Sequence, residues 1–115
     1  MNCFLFYYMR TLIVDDMEDV YEKLKGHFKD SRYAKTVEEG LRELASGNYD
    51  LIISDYHFEN SLQGGLEIIK AAKNKGLTRI LMSKENHRKE AKELGAIFMF
   101  KKELFKLLEG YDGRK

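Results

Sequence analysis

Two adjacent carboxylates, Asp15 and Asp16, directly follow the apolar run TLIV. Like charges this close repel each other, so a cation or solvent has to lie beside them. A third carboxylate, Asp55, ends the similar run LIISD. Carboxylate oxygens are the ligands that a hard divalent ion such as magnesium prefers. The sequence therefore predicts a Mg²⁺ site formed by Asp15, Asp16 and Asp55.

A hydroxyl and two ammonium groups follow two further apolar runs. Ser83 ends the run ILMS, and Lys101 and Lys102 follow IFMF. Beside a bound cation, the Asp55 carboxylate has the chemistry of a nucleophile toward phosphorus and would form an acyl phosphate. A lysine and a serine would then bind the oxygens of the transferred phosphoryl group, which needs positioning and charge stabilisation.

Each of these residues, taken singly, also has a purely structural explanation. Asp15, Asp16 or Asp19 could cap the helix that follows the first run, and Ser83 or Asn86 could cap the helix after the fourth. A lysine at the end of a strand is usually solvated. Because four separate strand ends each carry a group that phosphoryl chemistry needs, we favour a functional site.

The elements that position these groups are short β-rich runs alternating with amphipathic helical runs. This alternation predicts a parallel sheet built from right-handed βα units. The predicted strands are residues 10–14, 32–36, 50–55, 79–83 and 96–100, and the predicted helices lie near 18–29, 38–46, 64–74, 86–93 and 103–109. The fold is therefore expected to be α/β, an open doubly wound five-stranded parallel sheet with five helices. In such a fold the ligand site lies outside the carboxyl ends of the strands.

The length and composition limit the classes of partner. A chain of 115 residues fits one domain, which we place at residues 9–115, with residues 1–8 as an N-terminal extension. The net charge of +1 argues against recognition of nucleic acid or a membrane surface by bulk charge. The single cysteine, Cys3, excludes an internal disulfide and suits a cytoplasmic location.

The sequence resembles the receiver domains of two-component response regulators, including the single-domain chemotaxis type, over residues 9–115. The motifs that carry the resemblance are LIVDD for the acidic pair, YDLIISD for the phosphoacceptor strand, GLEIIKAAK for the third helix, RILMS for the hydroxyl strand and GAIFMFKK for the lysine strand. The resemblance implies the flavodoxin-like receiver fold.

The resemblance also implies a role for each matching residue. Asp55 would accept the phosphoryl group, and Asp16 and Asp55 would ligate Mg²⁺ directly. Asp15 would act through water, and the backbone carbonyl of His57 would complete the protein ligands. Ser83 would be the hydroxyl that moves toward the phosphoryl group.

Two features of the lysine strand leave the position of the family's lysine open. Counting from Gly95 and Ala96 selects Lys102, whereas placing an aromatic residue three positions earlier selects Lys101 with Phe98. Successive strand side chains face opposite ways, so only one lysine of the pair can point at the acids. We prefer Lys102, with Lys101 as the alternative.

Other residues near the predicted site bear on its regulation. In the family the side chains two residues beyond the phosphoacceptor and the hydroxyl tune dephosphorylation, which implies this role for His57 and Glu85. Lys84 stands where the family prefers a small residue. His27 and His87 have no partner at metal-ligand spacing in the sequence, so we interpret both as surface residues.

The function that the resemblance implies is that of a stand-alone response regulator. A histidine kinase or phosphotransfer protein would phosphorylate Asp55, and a monomer or weak dimer would signal through altered binding to an unidentified protein. The chain would not be an enzyme beyond phosphotransfer to its own Asp55 and autodephosphorylation.

The alternative is a degenerate receiver, a phosphorylation-independent interaction module, which Lys84 favours. A phosphohydrolase with Asp15 as its nucleophile would need an acid where Met17 stands.

Overall fold

The centre of the fold is a sheet of five parallel strands in the order β2-β1-β3-β4-β5. The computed structural model describes residues 3–110, and the side chains of residues 6–109. Residues 1–2 of the predicted extension and 111–115 of the predicted domain lie outside this range. The strands are β1 (Arg10–Val14), β2 (Asp30–Ala34), β3 (Leu51–Asp55), β4 (Thr78–Ser83) and β5 (Ile97–Phe100). The prediction of an open, five-stranded parallel sheet is confirmed.

Six α-helices, rather than the predicted five, lie within residues 3–110. They are α1 (Cys3–Tyr8), α2 (Glu18–Leu24), α3 (Val37–Ser46), α4 (Gly64–Lys73), α5 (Arg88–Glu93) and α6 (Lys101–Gly110), and a 3₁₀ turn (Lys25–His27) follows α2. The additional helix, α1, lies in the segment interpreted as an extension. Its six residues are all apolar or aromatic, so they carry no helical periodicity. None of the helices in the described part of the chain has the length and apolar character needed to cross a bilayer.

Two hydrophobic clusters cover the two faces of the sheet. Strand side chains alternate between them, because neighbouring residues of a strand point to opposite faces. On one face α3, α4 and α5 pack against strand residues Leu12, Val14, Ile52 and Leu81. On the other face α2, α6 and Phe6 of α1 pack against Ile13, Leu51, Ile53, Ile80 and Met82. Because helices cover both faces of the sheet, the polar side chains that could form a ligand site lie at the edge where the strands end.

The strand β2 lies two residues earlier than predicted because Thr36 serves the following helix. Its hydroxyl accepts a hydrogen bond from the backbone N–H of Glu39 at 3.0 Å and caps α3. The Glu39 carboxylate accepts in turn from the backbone N–H of Lys35 at 3.0 Å. The backbone is still extended at Thr36, but this reciprocal pair assigns Lys35 and Thr36 to the start of α3, and the pairing of β2 ends at Ala34.

The start of α4 packs directly against the backbone of the β3 terminus. A Cβ at Gly65 would lie 2.1 Å from the carbonyl oxygen of Asp55 and 2.6 Å from Cα of Tyr56. The backbone N–H of Gly65 donates to the carbonyl oxygen of Tyr56 at 3.0 Å. The glycine therefore sets how closely α4 approaches the strand end that carries Asp55.

We expect Gly65→Ala to lower the free energy of unfolding by roughly 2 kcal/mol, because its methyl group must displace main chain rather than a flexible side chain. The matched control is Gly26→Ala, since a Cβ at Gly26 meets nothing within 4 Å. The control should change stability by less than about 0.5 kcal/mol. Urea unfolding followed by circular dichroism measures both, and equal midpoints for the two variants would contradict the close packing at Gly65.

Candidate functional site

Four of the five strands deliver a polar side chain to the same edge of the sheet. Asp15 and Lys101 directly follow β1 and β5, while Asp55 and Ser83 are the last residues of β3 and β4. Carboxylate oxygens of Asp15, Asp16 and Asp55 lie within 4.8 Å of one another. The structure therefore brings together the three acids that the sequence predicted to share a site.

The ammonium of Lys101 lies between the two buried acids. Its Nζ is 3.1 Å from Oδ2 of Asp15 and 3.4 Å from Oδ2 of Asp55. The other oxygen of each acid is held by the backbone: Oδ1 of Asp15 accepts from the N–H of Met17 at 2.8 Å, and Oδ1 of Asp55 from the N–H of Tyr56 at 2.9 Å. These contacts fix the orientation of both carboxylates.

Burial shifts the protonation equilibria of this group. Desolvation raises the pKa of Asp15, and it raises the pKa of Asp55 to about 6, with the charge of Asp15 as the second cause. Burial alone would lower the pKa of Lys101, but the charges of Asp55 and Asp15 outweigh it and raise the pKa. One lysine cation therefore faces two carboxylates that burial makes costly to ionise.

The acidic cluster fits a hard divalent cation. Oδ2 of Asp15 is buried, and among the described residues its partner is the ammonium of Lys101 at 3.1 Å. Asp16 lies half-buried at the rim, where its Oδ2 accepts from the backbone N–H of Glu59 at 3.0 Å. The ammonium of Lys101 contacts two of the three carboxylates, which leaves negative charge uncompensated in the cluster. Oxygen-rich sets of this kind suit Mg²⁺.

An open pocket gives solvent access to Asp55. His57, Lys84 and Glu85 line the pocket together with Asp16, Asp55 and Lys101. Ser83 is buried beside them, and its hydroxyl accepts from the backbone N–H of Glu85 at 3.1 Å. The Asp55 side chain, although only 9% exposed, is therefore in contact with solvent, in a pocket that Ser83 and Lys101 also line.

The preference for Lys102 as the lysine of the site is wrong, because Lys101 contacts the acids and Lys102 is exposed. Strand β5 begins at Ile97, one residue later than predicted, and ends at Phe100. Lys101 is already the first residue of α6. The alternation of side chains along a strand therefore does not extend to the lysine pair.

The capping interpretation of the acids after β1 is also wrong. Met17 precedes α2 as its N-cap residue and makes no side-chain cap, while Asp19 lies inside the helix. At the other loop, the N-cap residue of α5 is His87, without a side-chain cap, but Oδ1 of Asn86 accepts from the backbone N–H of Arg88, the first residue of the helix, at 3.0 Å. Asp15 and Ser83 each accept from a backbone N–H two residues further on, so they order their loops and do not cap the helices.

Several residues around the site escaped the sequence analysis. The hydroxyl of Tyr33 donates to the carbonyl oxygen of Asp15 at 2.8 Å. The ring of His87 stacks on Tyr56 and is mostly buried, so its assignment as a surface residue is wrong. These contacts join residues far apart in the chain, and no local spacing in the sequence indicates them.

The raised pKa of Asp55 predicts a pH dependence of stability in the metal-free protein. The pKa rises from an ordinary value of 3.8 to about 6, so between these values the folded chain binds more protons than the unfolded chain. The free energy of unfolding should therefore increase by about 1 kcal/mol as the pH falls from about 7 to 5. Urea unfolding in a chelating buffer should show this gain in wild type, and Asp55→Asn should lose most of it. Parallel pH profiles would contradict the shift.

Comparisons with known proteins reveal relatives among solved structures. No family model matches the sequence, and no curated protein matches it. The response regulator protein TrrA from Thermotoga maritima, solved in complex with Mg(2+)-BeF, is 31% identical, with 86% of this chain and 97% of that chain covered and a TM-score of 0.68.

Two further structures share the fold at lower identity. Chemotaxis protein CheY4 from Vibrio cholerae is 22% identical, with 90% of this chain and 98% of that chain covered and a TM-score of 0.70. A CheY-like response regulator receiver domain protein from Methanospirillum hungatei is 18% identical, with 91% and 94% covered and a TM-score of 0.70. Because the match to TrrA combines 31% identity with 86% coverage of this chain, the chain belongs to the response regulator receiver domain family.

Proposed function

We propose that this receiver accepts a phosphoryl group on Asp55 from a histidine kinase or phosphotransfer protein and signals by altered binding to another protein. The reaction depends on Mg²⁺ and takes place in the cytoplasm. The observation that carries the proposal is the shared contact of the Lys101 ammonium with Asp15 and Asp55 at the mouth of an open pocket. An acid that is oriented, nearly buried and still reachable from solvent suits a nucleophile.

In the proposed transfer, a carboxylate oxygen of Asp55 attacks phosphorus as the bond to the donor's imidazole nitrogen breaks. With a pKa of about 6, Asp55 is ionised at neutral pH and needs no base to remove a proton. Lys101 then compensates charge on the phosphoryl oxygens, and the Ser83 hydroxyl supplies a hydrogen bond. Lys101 already contacts Asp55, whereas the Ser83 hydroxyl, which accepts from Glu85, would turn toward the phosphoryl group.

The metal ligands in this proposal are Asp15, Asp16, Asp55 and the backbone carbonyl of His57. When bound, Mg²⁺ offsets the charge of the carboxylates and polarises the phosphoryl oxygens. Support comes from the three carboxylates gathered around the Lys101 ammonium and from the magnesium complex of TrrA. Asp16, held at the rim by Glu59, is the member of the cluster that solvent reaches most easily.

Incubation with a small-molecule phosphodonor and Mg²⁺, followed by intact mass measurement, tests the function. Wild type should gain one phosphoryl group, and Asp55→Asn should gain none. Asp16→Asn should lose most of the Mg²⁺-dependent labelling, whereas Asp19→Asn, a matched change on the exposed surface, should label like wild type. No gain of mass in wild type would instead support the phosphorylation-independent interaction module. Labelling of Asp55→Asn would place the acceptor elsewhere.

The two adjacent lysines provide a second test of the site. Lys101→Ala should strongly reduce the phosphodonor-induced changes in amide chemical shifts, because the phosphoryl oxygens lose their cationic partner. Lys102→Ala should retain them, since Lys102 is exposed. Removing Lys101 also leaves two buried carboxylates unpaired, so the comparison is made below the melting temperature of each variant. Equal spectral responses would remove Lys101 from the switch.

A further inference from the structure

A second group of side chains that can ligate a metal lies at the edge of the open pocket that contains Asp55. Ligand atoms of His57, Glu85 and His87 lie within 4.8 Å of one another. His57 belongs to the loop after β3, and the other two belong to the loop after β4. The family resemblance gives His57 and Glu85 a role in dephosphorylation, but it gives none to His87, and it does not explain why all three side chains converge.

The ring of His87 is oriented as in a metal-binding histidine. Its Nδ1 lies 3.2 Å from Oε2 of Glu90, and because a carboxylate only accepts, Nδ1 carries the proton of this contact. In the neutral ring, Nε2 is then left with a free lone pair. This Nε2 is buried and makes no hydrogen bond within the described part of the chain. It faces Glu85, whose Oε1 is 3.8 Å away.

Neighbouring groups hold this orientation. The Tyr56 ring stacks on His87 with centroids 3.5 Å apart and planes at 5°. The Tyr56 hydroxyl donates to the same Glu90 carboxylate oxygen at 3.3 Å. A carboxylate that fixes the outer nitrogen of an imidazole is the usual second layer of a metal site, where it sets the tautomer and raises ligand basicity.

The spacing of the three ligand atoms suits a small ion. Nε2 of His57 lies 3.2 Å from Oε1 of Glu85, which in turn lies 3.8 Å from Nε2 of His87. A tetrahedral ion with bonds of about 2.0–2.1 Å separates its ligands by about 3.3 Å. The side chains of His57 and Glu85 are 44% and 73% exposed, so both can adjust by rotation around the fixed His87.

We propose that His57, Glu85 and His87 bind Zn²⁺ through two imidazole nitrogens and one carboxylate, with a fourth position open to solvent. Imidazole ligands favour zinc over magnesium, so this site is chemically distinct from the acidic cluster. A bound ion would join the loops after β3 and β4. It would thereby fix two side chains, His57 and Glu85, that line the pocket of Asp55.

The chain contains three histidines, which makes imidazole ¹⁵N spectra a direct test. Zn²⁺ is titrated into the whole protein in excess Mg²⁺, which occupies the acidic cluster. One equivalent of Zn²⁺ should shift Nε2 of His57 and His87, and His27 should not respond. A response of all three rings, or of none, would overturn the site.

Competition with a chromophoric chelator gives the affinity for Zn²⁺. His87→Ala should weaken binding at least tenfold, and Glu90→Gln, which removes the orienting carboxylate, by about tenfold. His27→Gln is the matched control and should bind like wild type. Unchanged affinity in His87→Ala, or loss of zinc binding in Asp16→Asn, would place the ion elsewhere and refute the proposal. These measurements need no phosphoryl transfer, so their failure leaves the proposed function untouched.

Discussion

The contact on which the site depends is the ammonium of Lys101 between the buried carboxylates of Asp15 and Asp55. Parallel strands bring their carboxyl ends to one edge, so acids placed at the ends of β1 and β3 must lie close together. A single cation cannot neutralise both, and Asp16 adds a third negative charge at the rim. In the proposed function, the remaining negative charge attracts a divalent ion, which in turn would bind a phosphoryl group, and without the ion the same charge would destabilise the fold.

The packing of the rest of the fold offsets the cost of this unfavourable arrangement, although the same packing also removes water from the buried carboxylates. Helices cover both faces of the sheet, and α4 packs at Gly65 directly against the backbone of Asp55. The desolvation that raises the pKa of Asp55 is therefore a consequence of the packing that makes the sheet stable. The same packing therefore stabilises the sheet and raises the pKa of Asp55. A change that opens the packing would lower both the stability and this pKa.

The parts of the fold predicted from sequence are those fixed by apolar runs. Strands β1, β3 and β4 are buried on both faces, so their ends, and with them Asp15, Asp55 and Ser83, could be placed within a residue or two. The lysine could not, because β5 is short, only partly buried and followed at once by a helix. Helix α1 escaped prediction because a six-residue apolar run has no period to detect.

The histidine cluster illustrates a different limit of sequence reasoning. Metal-ligand spacing in a sequence is recognisable when the ligands share one helix or one loop, but His57 and His87 come from separate loops joined only by the pairing of β3 with β4. That pairing sets Asp55 beside Met82 and so brings the loops that follow β3 and β4 next to each other, where His57 contacts Glu85. His57 thus takes part in both proposed metal sites: its backbone carbonyl in the magnesium site and its imidazole ring in the zinc site. Occupation of either site would then restrain the same loop.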